Sequence, residues 1–287
     1  MGMTRMAARE RDRAVTAYYD RAMEGHVYVR DTIDATMEAV GARVDRLGDR
    51  PRILELGCHA GVLTEEMLAR WPRAGFVVHD DNDELVGVAR RRLAGRQVRF
   101  HTGALATLAQ PVDLVVSVAR HHRLPNGYLA GLRHVMKPGA AYVLADELCP
   151  EYCAGAHAER IARAQAMHIV GGYVLTSDQE LAAFKERGVV PPEAAEIERL
   201  RQRALWRWYR FVVDAAVERG YLDIAVSELR STHDDLITDS AAEHKFSPLV
   251  IERQLALAGL RPVSKRSIGP ADEPELQSMF VLESEAD

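Results

Sequence analysis

The stretch Arg52-Ile53-Leu54-Glu55-Leu56-Gly57-Cys58-His59-Ala60-Gly61-Val62-Leu63-Thr64 constrains the fold more than any other part of this 287-residue chain. It reads as a strand, a glycine turn and the start of a helix, in that order. Glycines permit a sharp turn and let a ligand approach the peptide groups closely. The helix start behind them offers unpaired N–H groups and positive potential. Asp80 stands at the end of the next apolar run, 19 positions after Gly61. A carboxylate there is placed to accept the ribose hydroxyls of a nucleoside.

The same alternation continues downstream. Ile53–Leu56 precedes Leu63, Met67, Leu68 and Trp71 at helical spacing. Phe76–Val78 precedes Leu85, Val86, Ala89 and Leu93, and Val98–Phe100 and Val112–Val118 are further strands. A helix around Leu129–Met136 leads through Lys137-Pro138-Gly139 into Tyr142–Ala145. Strands alternating with helices predict a parallel sheet covered on both faces. Upstream, Val29, Ile33, Met37, Val40, Val44 and Leu47 mark one helix face, stopped by Gly48 and Pro51. Ala14 to Tyr19 reads as a further short helix. After Asp146 the pattern turns mostly helical. Ser177 and Glu180 form a capping box, and Gly188 closes that helix. Pro191-Pro192 opens a long helix to about Gly220, striped by Leu200, Ala204, Trp208, Phe211 and Ala215. Tyr221–Phe246 shows no clear periodicity and leaves room for a loop. Ser247-Pro248 starts a helix that ends near Gly259, and Pro262–Ile268 and Leu276–Leu282 are the last strands. The expected fold is a doubly wound, mostly parallel, seven-stranded α/β sheet of the Rossmann-like kind. Residues 1–50 form an N-terminal helical lid and 51–148 the core. Residues 149–246 form a helical cap, and 247–287 return to the core.

Composition narrows the function. A net charge of -5 argues against a sequence-independent grip on nucleic acid or an anionic membrane. Three cysteines make no disulfide framework, which suits a reducing compartment. No apolar run is long enough to span a membrane. The opening Met1 to Arg13 is polar and Arg-rich, without a secretory core, so a cytoplasmic protein is expected.

The glycine turn resembles the first motif of the class I S-adenosylmethionine-dependent methyltransferases, an acid followed by alternating glycines. Glu55, Gly57 and Gly61 match it, and His59 replaces the middle glycine. Asp80, in Val-Val-His-Asp80-Asp81-Asn82, resembles the family's second acid. Arg133 to Tyr142, with its Lys-Pro-Gly turn, resembles the segment before strand five, and Phe246 to Leu260 the helix before the final hairpin. The resemblance implies an S-adenosylmethionine site formed by Glu55, Gly57, His59, Gly61, Asp80, Asp81, Ala104, Leu105 and Ser117. Many relatives carry an acid after strand three. Ala104 stands there, so backbone N–H groups and apolar walls at Ala104 and Leu105 are expected to hold the adenine. His59 either reshapes the pocket near the sulfonium or points outward. The resemblance also implies an N-terminal lid, with Tyr18 or Tyr19 near the methionine end. A dinucleotide cofactor fits less well, because the turn lacks a third glycine.

Ligands of open α/β sheets sit beyond the carboxyl ends of the strands. That selects Ser117–His122 after strand four, with His121 and His122 as candidate general bases, and Asp146 and Glu147 after strand five as proton acceptors or orienting acids for a cationic group. Tyr19 and His168 are further catalytic candidates. The strand-four end, Ser117-Val-Ala-Arg-His-His122, lacks the Asn/Asp-Pro-Pro-aromatic signature of amine-modifying relatives, which favours a small-molecule acceptor. His157 and His168 are too far apart on one helix to share a metal. His233, Asp234, Asp235, Glu243 and His244 offer metal-like donors in no closed template, so no metal is assigned. Cys149 and Cys153 read as buried small residues, and Trp206, Trp208, Tyr209 and Phe211 as core. The leading expectation is a small-molecule methyltransferase. One alternative is cyclisation of S-adenosylmethionine to azetidine-2-carboxylate and methylthioadenosine. The other is a non-catalytic binding protein. A homodimer is left open.

Overall fold

A computed structural model describes residues 17, 21–124, 128–152, 155–170, 192–236 and 245–287. Helix α1 (Val29–Leu47) buries Ile33, Met37, Val40 and Val44, the face marked by their spacing, and Gly48 ends it at φ 81°. Then come β1 (Arg52–Leu56), α2 (Val62–Arg70), β2 (Gly75–His79), α3 (Asp83–Arg92), β3 (Val98–His101), β4 (Val112–Val118), α4 (Tyr128–Val135) and β5 (Met136–Glu147). The insertion holds α5 (Gly155–Val170), α6 (Pro192–Glu218) and α7 (Leu222–Leu236). Helix α8 (Pro248–Leu257), β6 (Leu260–Ile268) and β7 (Met279–Ala286) return to the sheet.

The strand order is β3-β2-β1-β4-β5-β7-β6. Strands β1 to β5 are parallel, and β7 runs antiparallel to both its neighbours. This is the expected doubly wound, mostly parallel, seven-stranded sheet. The order reverses between β1 and β4, which opens a crevice beyond their carboxyl ends. Successive strand residues feed opposite cores. Ile53, Leu114 and Val143 pack with Val40 of α1 and with Trp208 and Val212 of α6. Leu54, Val115, Tyr142 and Leu144 pack with Leu132 of α4 and Ile251 of α8.

Several boundaries differ from the sequence reading. Strand β5 starts at Met136 rather than Tyr142, and a register shift against β4 absorbs the Lys137-Pro138-Gly139 turn, with Gly139 at φ 72°. It runs on to Glu147 because Asp146 and Glu147 pair with Phe280 and Met279 of β7. Leu276 lies in a 3₁₀ turn, so β7 begins later than expected. Trp71 caps α2 instead of continuing it. Within Tyr221–Phe246, which shows no clear periodicity, Leu222–Leu236 form α7. Its Leu222, Val226 and Leu229 face solvent, which hides the amphipathic pattern. Trp206, counted with the core, is also exposed, whereas Trp208 and Tyr209 are buried. Ser247 makes no side-chain cap to α8; the Glu151 carboxylate accepts the Leu249 N–H instead, at 2.9 Å. Tyr18, Tyr19, Cys153, Ser177, Glu180, Gly188, Glu243 and His244 lie outside the described residues. No helix among the described residues is long and apolar enough to cross a membrane.

Leu144 is fully buried in β5 and Leu257 half exposed on α8. Truncating Leu144 to alanine is expected to cost about 2–5 kcal/mol in urea unfolding, against at most ~0.5 kcal/mol for Leu257→Ala.

Candidate functional site

The glycine turn is built as its residue types require. Gly57 and Gly61 take φ 84° and 79°. A Cβ on Gly57 would lie 2.4 Å from Cγ of Arg120, so a side chain is excluded there on two grounds. The Gly57 and Cys58 N–H groups both donate to the His79 carbonyl, at 2.7 and 3.2 Å, which stitches the turn to the end of β2. His59 also takes a positive φ, 44°, unusual for a residue with a side chain. Its Nε2 donates to the Val118 carbonyl at 3.1 Å, so the ring turns towards the end of β4.

Two carboxylates lie beneath the turn. Glu55 is buried and hydrogen-bonded to the Thr64 hydroxyl. Burial, with nearby Asp80 adding to it, pushes its carboxyl up to about 8. Asp80 accepts the N–H groups of His59 at 3.2 Å and Asn82 at 3.0 Å. Its side chain is enclosed, with the Arg120 guanidinium 3.8 Å away. Arg120 is hydrogen-bonded to Asp81 and lies across Gly57. Beyond β3, Ala104 is exposed and its carbonyl accepts from the His101 ring and the Thr107 hydroxyl. Leu105 is half buried, and Ser117 is buried on β4.

The ends of β4 and β5 bring together His121, His122 and Asp146. His122 Nδ1 donates to Asp146 Oδ1 at 2.7 Å, and its backbone N–H reaches Oδ2 at 3.3 Å. Burial alone would raise the Asp146 carboxyl, but the adjacent His122 holds it down at about 2. A carboxylate on one ring nitrogen fixes the tautomer and orientation of the other. His121 Nδ1 lies 2.5 Å from the Tyr128 hydroxyl, which in turn is 3.2 Å from that of Tyr142. Burial drives the His121 imidazole down to about 4, so it is neutral at pH 7.

The structure therefore gathers Glu55, Gly57, His59, Gly61, Asp80 and Asp81 around the glycine turn and His121, His122 and Asp146 at the ends of β4 and β5, with Ser117 buried on β4. Arg120, Tyr128 and Tyr142 went unrecognised in the sequence. Arg120 could have been found, since it falls within the strand-four end segment already selected. Tyr128 and Tyr142 carry no local signal and meet only through the fold. Helix α5 contains His157 and His168 and α7 contains His233, Asp234 and Asp235, but these side chains lie outside the described ones. Cys149 is buried, as expected. A cavity of about 510 Å³ lined by Val44, Pro51 and Trp71 sits at the opposite, amino end of β1.

Residues 53–139 match a family described as a methyltransferase domain. Two curated malonyl-[acyl-carrier protein] O-methyltransferases are similar in part. The one from Paenibacillus sp. (strain JDR-2) is 26% identical over 146 residues, covering 45% of this chain and 53% of that protein. The one from Magnetococcus marinus is 31% identical over 116 residues, covering 37% and 43%. The chain thus spans about half the length of the curated relatives it matches. A chain in the Haloferax volcanii complex containing the Trm112 methyltransferase activator has a similar fold. Its TM-score is 0.51 at 13% identity, with 96% of each chain covered.

Glu55 and His121 pull stability in opposite directions with pH. His121 is depressed when folded, so its contribution is present above its ordinary value of about 6.5 and is lost as pH falls towards 4. Glu55 is raised, so its contribution is present below about 4.3 and is lost as pH rises through 8. Urea midpoints between pH 4 and 8 are expected to flatten on the acid side in His121→Asn and on the alkaline side in Glu55→Gln. Unchanged profiles would refute both assignments.

Proposed function

We propose that this chain, which belongs to the class I S-adenosylmethionine-dependent methyltransferase superfamily, methylates a small molecule held beyond the ends of β4 and β5. The observation that carries the reading is a coincidence of spans. The methyltransferase-domain match covers residues 53–139, the same segment that supplies the glycine turn, Asp80 and the His121–His122 pair.

The residues fit the cofactor. Gly57 and Gly61 keep the turn free of side chains, and Asp80 stands at the end of β2 to accept ribose hydroxyls. Ala104 and Leu105 would wall the adenine. Arg120 Nε is buried beside the turn and has no hydrogen-bond partner among the described residues. An unsatisfied buried donor there suits an oxygen-rich group. Bound S-adenosylmethionine supplies a methyl electrophile activated by its sulfonium.

The chain's own groups position the acceptor, take a proton from it and exclude water. Asp146 fixes Nδ1 of His122, so Nε2 is the nitrogen that acts as general base. His121, neutral at pH 7, hydrogen-bonds without competing for charge. The family resemblance supports a role for Tyr18 or Tyr19 at the methionine end, and His168 is a further candidate towards the acceptor. The net charge of -5 supports a small-molecule acceptor over nucleic acid.

Incubation with S-adenosylmethionine and a panel of acceptors, read by mass spectrometry, is expected to give S-adenosylhomocysteine only when an acceptor is present. Methylthioadenosine from S-adenosylmethionine alone would overturn methyl transfer. By calorimetry, Asp80→Ala should weaken S-adenosylmethionine binding by about tenfold or more, two lost hydrogen bonds at about 1 kcal/mol each. An unchanged Kd would refute the ribose assignment. His122→Ala is expected to lower kcat by about 100-fold or more with the cofactor Kd unchanged.

A further inference from the structure

The other side of the β5 end carries a second cluster. Asp146 and Glu147 are successive strand residues, so their side chains diverge. Glu147 lies among His26, Trp208, Glu228 and Lys245. His26 precedes α1, Trp208 is on α6, Glu228 is on α7 and Lys245 precedes α8. His26 and Glu228 are buried, and the Glu147 side chain is 12% exposed. His26 Nε2 is 3.7 Å from Glu147 Oε2 and 3.8 Å from Glu228 Oε1, and the three donor atoms lie within 4.8 Å of one another.

We propose that His26, Glu147 and Glu228 form a binding site for one divalent first-row transition-metal ion. Three observations support it. First, the atoms facing away from the cluster are already held. His26 Nδ1 donates to the Val27 carbonyl at 2.9 Å, which leaves the Nε2 lone pair directed at the two acids. Glu147 Oε1 accepts Trp208 Nε1–H at 2.5 Å and lies 3.0 Å from Lys245 Nζ, so Oε2 is the oxygen turned towards His26. Ligating histidines and carboxylates are characteristically oriented by such outer hydrogen bonds. Second, the spacing is close to what an ion needs. Bonds of about 2.1 Å in tetrahedral geometry separate ligand atoms by roughly 3.4 Å, a few tenths less than the two distances from His26, and the two carboxylates lie within 4.8 Å of each other. Third, the donor set is one nitrogen and two carboxylates, which suits the Mn(II) to Zn(II) series better than Ca(II) or Mg(II).

The bound ion would tie the segment before α1, the end of β5 and α7 together. Its remaining positions would take an oxygen donor.

The competing occupant is a proton on Nε2, which would make His26 an imidazolium paired with both acids. Titrating tag-free, chelator-treated protein with Co(II) separates the two. The expected result is a d–d absorption that saturates at one equivalent and a thermal midpoint that rises with metal. In His26→Ala and Glu228→Gln the Co(II) affinity should fall at least about tenfold and the thermal shift should vanish. No saturable Co(II) band in the wild-type protein would overturn the proposal. So would a band of undiminished affinity in both variants. The wild-type titration decides the matter even if a variant fails to fold.

Discussion

Two successive carboxylates, Asp146 and Glu147, enter the interior at the end of β5, and neither can stay ionised there without partners. Asp146 is satisfied by His122 from the β4 loop. Glu147 is satisfied by Trp208 from α6 and Lys245 from the segment before α8. Removing one partner of a buried pair costs roughly 3–5 kcal/mol, because the other charge is left stranded. Glu147 therefore docks the inserted helices onto the sheet, and Asp146 shapes the crevice. Lys245 is itself fixed on a second side by the Tyr209 hydroxyl at 2.7 Å. The connection is a polar network set into an apolar contact.

The core of the fold was legible in the sequence because its signals are local. A strand, two glycines and a helix start within Arg52–Thr64 suffice to place the turn, and Val112–Val118 reads as a buried strand without any context. What escaped depends on distant pairing or on masked patterns. The last two residues of β5 are strand only because β7 hydrogen-bonds to them. Helix α7 turns three large apolar residues outward, so its periodicity points the wrong way. In the site, the glycine turn, Asp80 and the His121–His122 pair were recognisable, since each follows a strand end. His26 belongs to no motif and reaches Glu147 only by folding. Arg120 stood in plain view, but its role comes from where its stem lies, over Gly57.

The crevice carries backbone strain on both walls. His59 and Ala119 take φ 44° and 49°, a region that side chains disfavour. His59 Nε2 bonds the carbonyl of Val118, the residue before Ala119, so one strained position braces the other. Such conformations persist where surrounding contacts over-determine them. Here the β5 ladder does so, since the Ala119 N–H donates to the Ala145 carbonyl at 2.9 Å. Helix α2 and the β4 loop thus keep a fixed separation, which is what a cleft for a rigid nucleoside requires.

The insertion between β5 and β7 also has a kinetic side. Ser278 and Leu148, joined at the point where β7 meets the end of β5, are 130 residues apart in sequence. Contacts of that range contribute to a high contact order, and chains dominated by them fold slowly. The loop-closure penalty grows only logarithmically, and helices that pack early shorten the effective tether. Helices α6 and α7 pack directly against each other, so they can condense before the sheet is complete. Stopped-flow refolding should then show helix signal arriving ahead of the final burial of Trp208.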